Sequence, residues 1–477
     1  MNNPEQRPDG NIPPPPPTEA DGDAFDALYG LSEQDLDRLS AILNEDPPNS
    51  DALNEFIAPI HAADLADIIE QLDRDQRIKL LQVLGADIDS EAISHLNYSL
   101  RLKLLRHVPL QTLAILVKDL ESDDAIDIIE DLSEEEQENL LRLVPSQDRA
   151  VYELGLSFPE DSAGRLMRRE LVTIPNFWTV GQSIDYLRGK AQSNIPEDFY
   201  SLVVVGPQHK PVGLVRLAKL LTSTRVTAIA AIMERELKLI PVDMDQEDVA
   251  FLFKQYGLVE TPVIDQQGRL VGSITIDDIV DVIQEEHEED MLSMAGVRHD
   301  DFYADVIKTT GARLSWLVIN LITAIAASLV IGLFEGALTQ LVALSVLMPI
   351  VASMGGNAGT QTLTVAVRAL ATNELTAANA SAIVVKEGLV GGLNGIIFAL
   401  LIGCVAWGWY GNMALGIVIA AAMIINLLMA GVAGVAIPVI LDRFGRDPAI
   451  SSAVFLTTVT DIVGFLSFLG LATLILL

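Results

Sequence analysis

Thr457-Thr458-Val459-Thr460-Asp461-Ile462-Val463-Gly464 lies near the middle of residues 449–477, where Asp461 is the only charged side chain. The rest of that stretch is apolar, small or hydroxylated. Its 29 residues exceed the roughly 20 that a membrane-spanning helix needs. A carboxylate at membrane depth costs roughly 3 kcal/mol unless it faces water, a partner or an ion. The segment therefore reads as a transmembrane helix, and Asp461 as a candidate site within it.

Four apolar segments precede it, at roughly Leu314–Phe334, Leu338–Leu370, Leu389–Tyr410 and Ala414–Leu441. The expectation is a transmembrane domain of five helices over residues 314–477. Lys308 and Arg313 precede the first helix, Arg368 and Lys386 follow the second, and Arg443 and Arg446 follow the fourth. The intervening hairpins hold Glu335 or the uncharged Gly411-Asn412. Bases thus alternate between the two sides. That places the N-terminus in the cytoplasm and the C-terminus outside a plasma (inner) membrane.

The second segment carries Pro349 and Met354-Gly355-Gly356-Asn357-Ala358-Gly359-Thr360-Gln361. Two readings stand side by side. Gly and Pro can break the helical ladder where it lines a cavity, and the freed oxygens suit Mg2+ or Ca2+. Small residues also let helices pack closely, with Asn and Gln bonding across them. Asp461 favours a cation path, because no base lies at membrane depth to neutralise it. A neutral, proton-relaying carboxylate is the rival reading. One carboxylate is sparse for a divalent ion, whereas a homodimer would place two on one axis.

The chain has 477 residues and a net charge of −34, of which residues 301–477, with eight acids and six bases, carry only −2. So acidic a remainder disfavours nucleic acid as a partner. Cys404 is the only cysteine, so no intramolecular disulfide is available. The start of the chain is polar, runs into Pro13–Pro17 and has no signal-peptide pattern. Residues 1–28 are expected to be a disordered tail. No Gly-rich ATPase loop and no catalytic constellation is evident, so an enzyme is not expected.

Residues 29–160 read as an acidic, all-α N-domain. Leu65, Ile68, Ile69 and Leu72 mark one helical face. Ile68-Ile69-Glu70-Gln71-Leu72 recurs as Ile128-Ile129-Glu130-Asp131-Leu132, and Leu80-Leu81 as Leu140-Leu141. A repeat of helix pairs predicts a superhelical stack.

A second repeat fills residues 161–290. Leu166-Met167-Arg168-Arg169-Glu170-Leu171 aligns with Ile232-Met233-Glu234-Arg235-Glu236-Leu237. Each copy continues with a helix-period segment and two apolar strands: Ser201–Val205 and Pro211–Val215, then Thr261–Asp265 and Leu270–Ile274. The order resembles a tandem pair of CBS domains, an α+β unit. The second copy closes on Gly272-Ser273-Ile274-Thr275-Ile276-Asp277-Asp278, similar to the nucleotide signature of that family. The resemblance implies ATP or a related nucleotide at Thr275 and Asp278. The first copy has Gly213-Leu214-Val215-Arg216-Leu217-Ala218-Lys219 and lacks both residues. An acidic helix from Ile276 leads into residues 291–313, expected to be a connecting, plug-like helix.

The whole order, with Pro349, Gly355-Gly356-Asn357, Gly359, Gln361, Arg368-Ala369-Leu370, Asp447-Pro448-Ala449 and Thr460-Asp461, resembles the MgtE family of magnesium channels. The resemblance covers roughly residues 50–477. It implies a homodimer in lipid with a Mg2+-selective pore, Asp461 being the selectivity site and Asn357 lining the path. It further implies that cytosolic Mg2+ closes the pore by binding between acidic faces. The matching acids are Asp123 and Asp127 on the N-domain, and Asp278, Asp281, Glu286, Glu289 and Asp290 on the helix that ends the second CBS copy. Such faces repel until cations bridge them.

Two other readings are carried. One is a proton-coupled or broader divalent transporter that also takes Co2+. Softer ions usually bring His or Cys ligands, and no His follows His299. The other is a membrane-anchored CBS sensor, which would need neither Asp461 nor the Gly-Gly-Asn motif.

Overall fold

Leu65, Ile68 and Ile69, at helical spacing in the sequence, are buried on one face of α1 (Ala62–Gln71). α2 (Arg74–Leu84) follows after a capping box, in which Asp73 and Gln76 satisfy each other's end of the helix. Sixty residues on the pattern repeats. α3 (Ser122–Glu130) buries Ile128 and Ile129, and α4 (Glu134–Leu143) starts from a Ser133–Glu136 capping box. Helices from Glu33 to Leu156 share one core that includes Leu80, Leu81, Leu140 and Leu141. The N-terminal domain is therefore all-α.

The computed structural model describes residues 33–45, 48–190, 196, 199–297 and 306–477. The expected tail over residues 1–28 lies outside the described residues, as does the middle of the expected connecting helix.

Two three-stranded sheets follow, one per repeat. In the first, β1 (Thr173–Pro175) pairs in parallel with β2 (Ser201–Val205) through a crossover that contains α5 (Val180–Lys190). β2 then turns back antiparallel into β3 (Pro211–Arg216). The second sheet repeats this with β4 (Ile240–Pro241), α6 (Gln246–Tyr256), β5 (Glu260–Ile264) and β6 (Leu270–Thr275). The strand–helix–strand–strand–helix order is that of a CBS pair. The two entry segments are exchanged. Arg168 bridges to Ser273 in β6, and Glu234 bridges to Leu214 in β3. Gly272 is required for this exchange, since a Cβ there would sit 2.7 Å from the Arg168 carbonyl oxygen.

The chain divides into two compact units, one of Met1–Val249 with Tyr256–Asp278, the other of Ala250–Gln255 with Ile279–Leu477. The division falls within α7 (Ile276–Met294), the long acidic helix. In the second unit come α8 (Val306–Gly332), α9 (Ala343–Ala371), α10 (Ala380–Tyr410), α11 (Met413–Arg443) and α12 (Pro448–Ile475). Among the described residues, four segments are long and apolar enough to cross a membrane: Thr309–Gly332, Ala380–Tyr410, Met413–Arg443 and Ser452–Ile475. α9 has the length, 29 residues, but its Ser, Asn, Thr and Gln side chains make it less apolar than those four.

α11 is the hub of this unit, with Leu415, Val418, Ile419, Ala422, Met423 and Leu427 all buried. α10 packs on it backbone to backbone. A Cβ at Gly391 would overlap the Leu427 carbonyl, and one at Gly431 the Glu387 carbonyl. Lipid tails drive no hydrophobic association, so small residues that let helices approach supply the contact. The opposite face of α10 presents Leu389, Leu393, Ile396 and Leu400 outward.

Of the two readings of Pro349 and Gly355-Gly356, the break is absent: α9 is helical from Ala343 to Ala371. The glycines serve packing instead. A Cβ at Gly359 would sit 3.0 Å from Leu456 on α12, and one at Gly355 would overlap Asn426 on α11.

Candidate functional site

Asp461 sits at the middle of α12, half-buried, with no hydrogen bond or ion pair among the described residues. One turn earlier is the exposed Thr457, which is 3.9 Å from where a Cβ on Gly356 of α9 would lie. α9 therefore runs alongside α12 at this level. Its Ser353, Asn357, Thr360 and Thr364 recur every three or four residues, so they share one face, and all four are exposed. Thr360 and Thr364 donate to carbonyls one turn back, at 2.9 and 3.0 Å. Asn357 Nδ2 donates only weakly to the Ser353 hydroxyl, at 3.5 Å. The sequence-expected pair, Asp461 and Asn357, lies on the neighbouring helices α12 and α9. The polar strip of α9 needs water, an ion or a second protein surface.

Asn426 was not singled out from the sequence. It is fully buried. Its Nδ2 donates to the Val351 carbonyl of α9 at 2.8 Å, while its Oδ1 has no partner among the described residues. It is wedged against Gly355 of α9 and Gly464 of α12. The amide ties α9 to α11 at the depth of the polar strip. The signal was present: Asn426 is the only strongly polar side chain between Met413 and Leu441.

The soluble unit brings together Asp123 of α3 and Asp278 of α7, but with an arginine between them. Arg168 Nη1 is 2.8 Å from Glu121, and its Nη2 is 3.0 Å from Asp277 and 3.3 Å from Asp278. Its Nε is 3.8 Å from Asp123. Only 6% of the Arg168 side chain is exposed. Burial pushes the carboxyls up, reinforced by neighbouring acids: Glu121 and Asp124 to about 7, and Asp123 well above its ordinary value. Burial also raises Asp278, against the opposing pull of Arg168. Asp127, expected beside Asp123, is tied instead to Arg101 at 2.6 Å within its own domain.

Arg168 belongs to a set. Arg165 pairs with Glu130 at 2.6 Å. The Arg169 amide donates to the Ser122 hydroxyl at 2.9 Å, and its guanidinium to the Val151 carbonyl. Ser122 in turn donates to Glu170 at 2.8 Å. Among the described residues, no group of three or more His, Cys, Asp or Glu side chains is placed to hold a metal ion. The carboxylates at this junction are arranged around a guanidinium, so their arrangement does not fit a bare divalent ion.

The nucleotide-signature residues bond each other. Thr275 donates to Asp278 at 2.7 Å and is itself buried. Asp278 also accepts from Arg168, so a nucleotide here would have to displace that contact. Asp281, Glu286, Glu289 and Asp290 lie along α7. Burial raises the Asp290 carboxyl, and the nearby Asp447 adds to this. Asp447 also caps α12, accepting from the Ala449 amide at 2.7 Å. Sequence reasoning quoted Asp447 in a motif but did not place it among the acids of α7.

Comparison with known proteins agrees with this layout. A profile described as a divalent cation transporter matches residues 348–471. An MgtE intracellular N domain profile matches residues 60–161, and a CBS domain profile residues 229–285. The magnesium transporter MgtE of Thermus thermophilus is 31% identical over 449 residues, 92% of this chain and 99% of that protein. The same transporter of Bacillus subtilis is 30% identical over 411 residues, 86% of this chain and 91% of that protein. Among solved structures, the cytosolic domain of the Mg2+ channel MgtE in complex with ATP is 31% identical. It matches 50% of this chain and 96% of its own, with a TM-score of 0.46.

Proposed function

The chain belongs to the MgtE family of magnesium transporters, and from that premise we propose that it is a homodimeric, Mg2+-selective channel. Mg2+ enters down the membrane potential, which supplies about 4.6 kcal/mol per 100 mV for a divalent ion. All five long helices of the second unit cross the membrane, with the N-terminus in the cytoplasm and the C-terminus outside. The N-domain stack is a superhelical scaffold for control.

The observation that carries this reading is Asp461, an acid on an apolar helix with no protein partner among the described residues, on a helix that runs alongside α9 with its exposed Ser353, Asn357 and Thr360. Two copies related by a two-fold axis would set two such carboxylates face to face and balance one Mg2+. Mg2+ keeps its water shell tightly. Amide and hydroxyl groups along α9 would therefore hold it through water, weakly enough to let it leave.

The expected role of Asn357 is testable. Asn357→Leu should lower the initial Mg2+ flux into liposomes about tenfold, equivalent to roughly 1.4 kcal/mol. Leu400→Ala, on the outward face of α10, should change it by less than about twofold. Equal effects of the two substitutions would make Asn357 a packing residue.

Cytosolic Mg2+ closes the pore by acting on the acidic faces of the soluble part, with Asp281, Glu286, Glu289 and Asp290 of α7 as the principal acids. Converting these four to their amides should raise the Mg2+ concentration for half-closure at least about tenfold. Repulsion falls as well when acids are removed. It acts across water, screened within about 8 Å, so ligand loss dominates. An unchanged midpoint in channel current would leave these acids as a solvated face.

A further inference from the structure

We propose that Arg168 is a built-in cation that holds the N-terminal helical domain on the CBS pair, so that this junction closes without metal. The inference rests on the control reading above and moves its metal-dependent step away from Asp123 and Asp278.

Glu121 and Asp123 lie at the start of α3 in the helical domain, and Asp277 and Asp278 open α7 at the end of the second CBS copy. Arg168 is within 3.8 Å of all four. Its backbone cannot drift, because its amide and carbonyl both pair with Ser273, each at 2.9 Å. Gly272 allows that approach, as described above. The guanidinium is thus delivered from the first CBS copy, anchored on the second, and aimed at the helical domain. It does what a bridging divalent ion would do there, bringing two sets of carboxylates together. It differs in being covalently tethered, so its effective concentration does not follow the cytosol. A planar fork also satisfies several carboxylates at fixed directions, which a bare ion with a tight water shell does not. Arg165 on Glu130, and Arg169 on Ser122 and Val151, extend the same seam on either side.

The test is hydrogen exchange of the full-length protein in detergent, read at residues 122–130, in EDTA and in millimolar Mg2+. Wild type should show nearly the same protection in both conditions. Arg168→Gln should exchange about 100-fold faster in EDTA, since removing one partner leaves buried charges uncompensated. Mg2+ should restore much of its protection. Unchanged exchange at residues 62–71 reports that the helical domain is still folded. Should R168Q not fold, Glu121→Gln is the second variant, with a smaller acceleration in the same direction. Wild-type exchange that rises in EDTA as far as that of R168Q would overturn the proposal, as would R168Q or E121Q identical to wild type. Channel current without Mg2+-dependent closure, alongside wild-type protection that survives EDTA, would contradict the control reading and leave this inference standing.

Discussion

Asp461→Asn should cut Mg2+ flux by at least about 100-fold while leaving expression and oligomeric state unchanged. The substitution keeps the shape of the side chain and removes its charge. Asp461 has no protein partner among the described residues, so little of the fold depends on that charge. Relief from a lone acid on an apolar helix should slightly favour folding, since a charge at this depth costs roughly 3 kcal/mol. The expected result is a stable but silent protein. A loss of about 3 kcal/mol at the ion's tightest site corresponds to roughly 100-fold in rate. Stopped-flow uptake by reconstituted vesicles measures it. Undiminished flux would remove Asp461 from the ion path.

The second large effect is structural. Gly391→Val and Gly431→Val should each abolish the folded membrane unit. The atoms a side chain would meet are the carbonyls of Leu427 and Glu387, which are helix backbone and cannot swing aside. Overpacking costs 1–3 kcal/mol even where side chains can adjust, and more where backbones must part. The α10–α11 contact is the main source of cohesion for α10, whose other face is outward. Monodisperse protein on size-exclusion in detergent should be lost for both variants. Gly408→Ala, on the same helix with nothing within 4 Å of the added carbon, should behave as wild type. Wild-type profiles for the valine variants would show that α10 and α11 are not closely apposed.

Much of this architecture was legible because its signals are local. Apolar length announced the helices of the membrane unit, and alternation with turn residues announced the strands, Ser201–Val205 to the residue. The charged-residue census separated the acidic soluble part from the rest. The Gly-rich motif in α9 read two ways, as a break, because Gly and Pro weaken a helix in isolation, or as a close packing surface. In the folded unit the small residues are matched to bulky neighbours, Gly355 to Asn426 and Gly359 to Leu456, and the ladder stays intact. That outcome depends on partners about 70 to 100 residues away, which no local pattern contains. Arg168 was hidden for the same reason. It reaches Asp277 across a separation of 109 residues, and nothing in Met167-Arg168-Arg169 says which acids it will meet. Asn426 was the readable exception, a lone amide in an apolar helix.

Uptake of Mg2+ by the purified protein in liposomes, with a potential imposed by K+ and valinomycin and no pH gradient, tests the central claim most directly. The account predicts influx that appears with an inside-negative potential, grows with its size, and ignores protonophores once the potential is clamped. Influx that needs a proton gradient, or no Mg2+ influx at any potential, would contradict it.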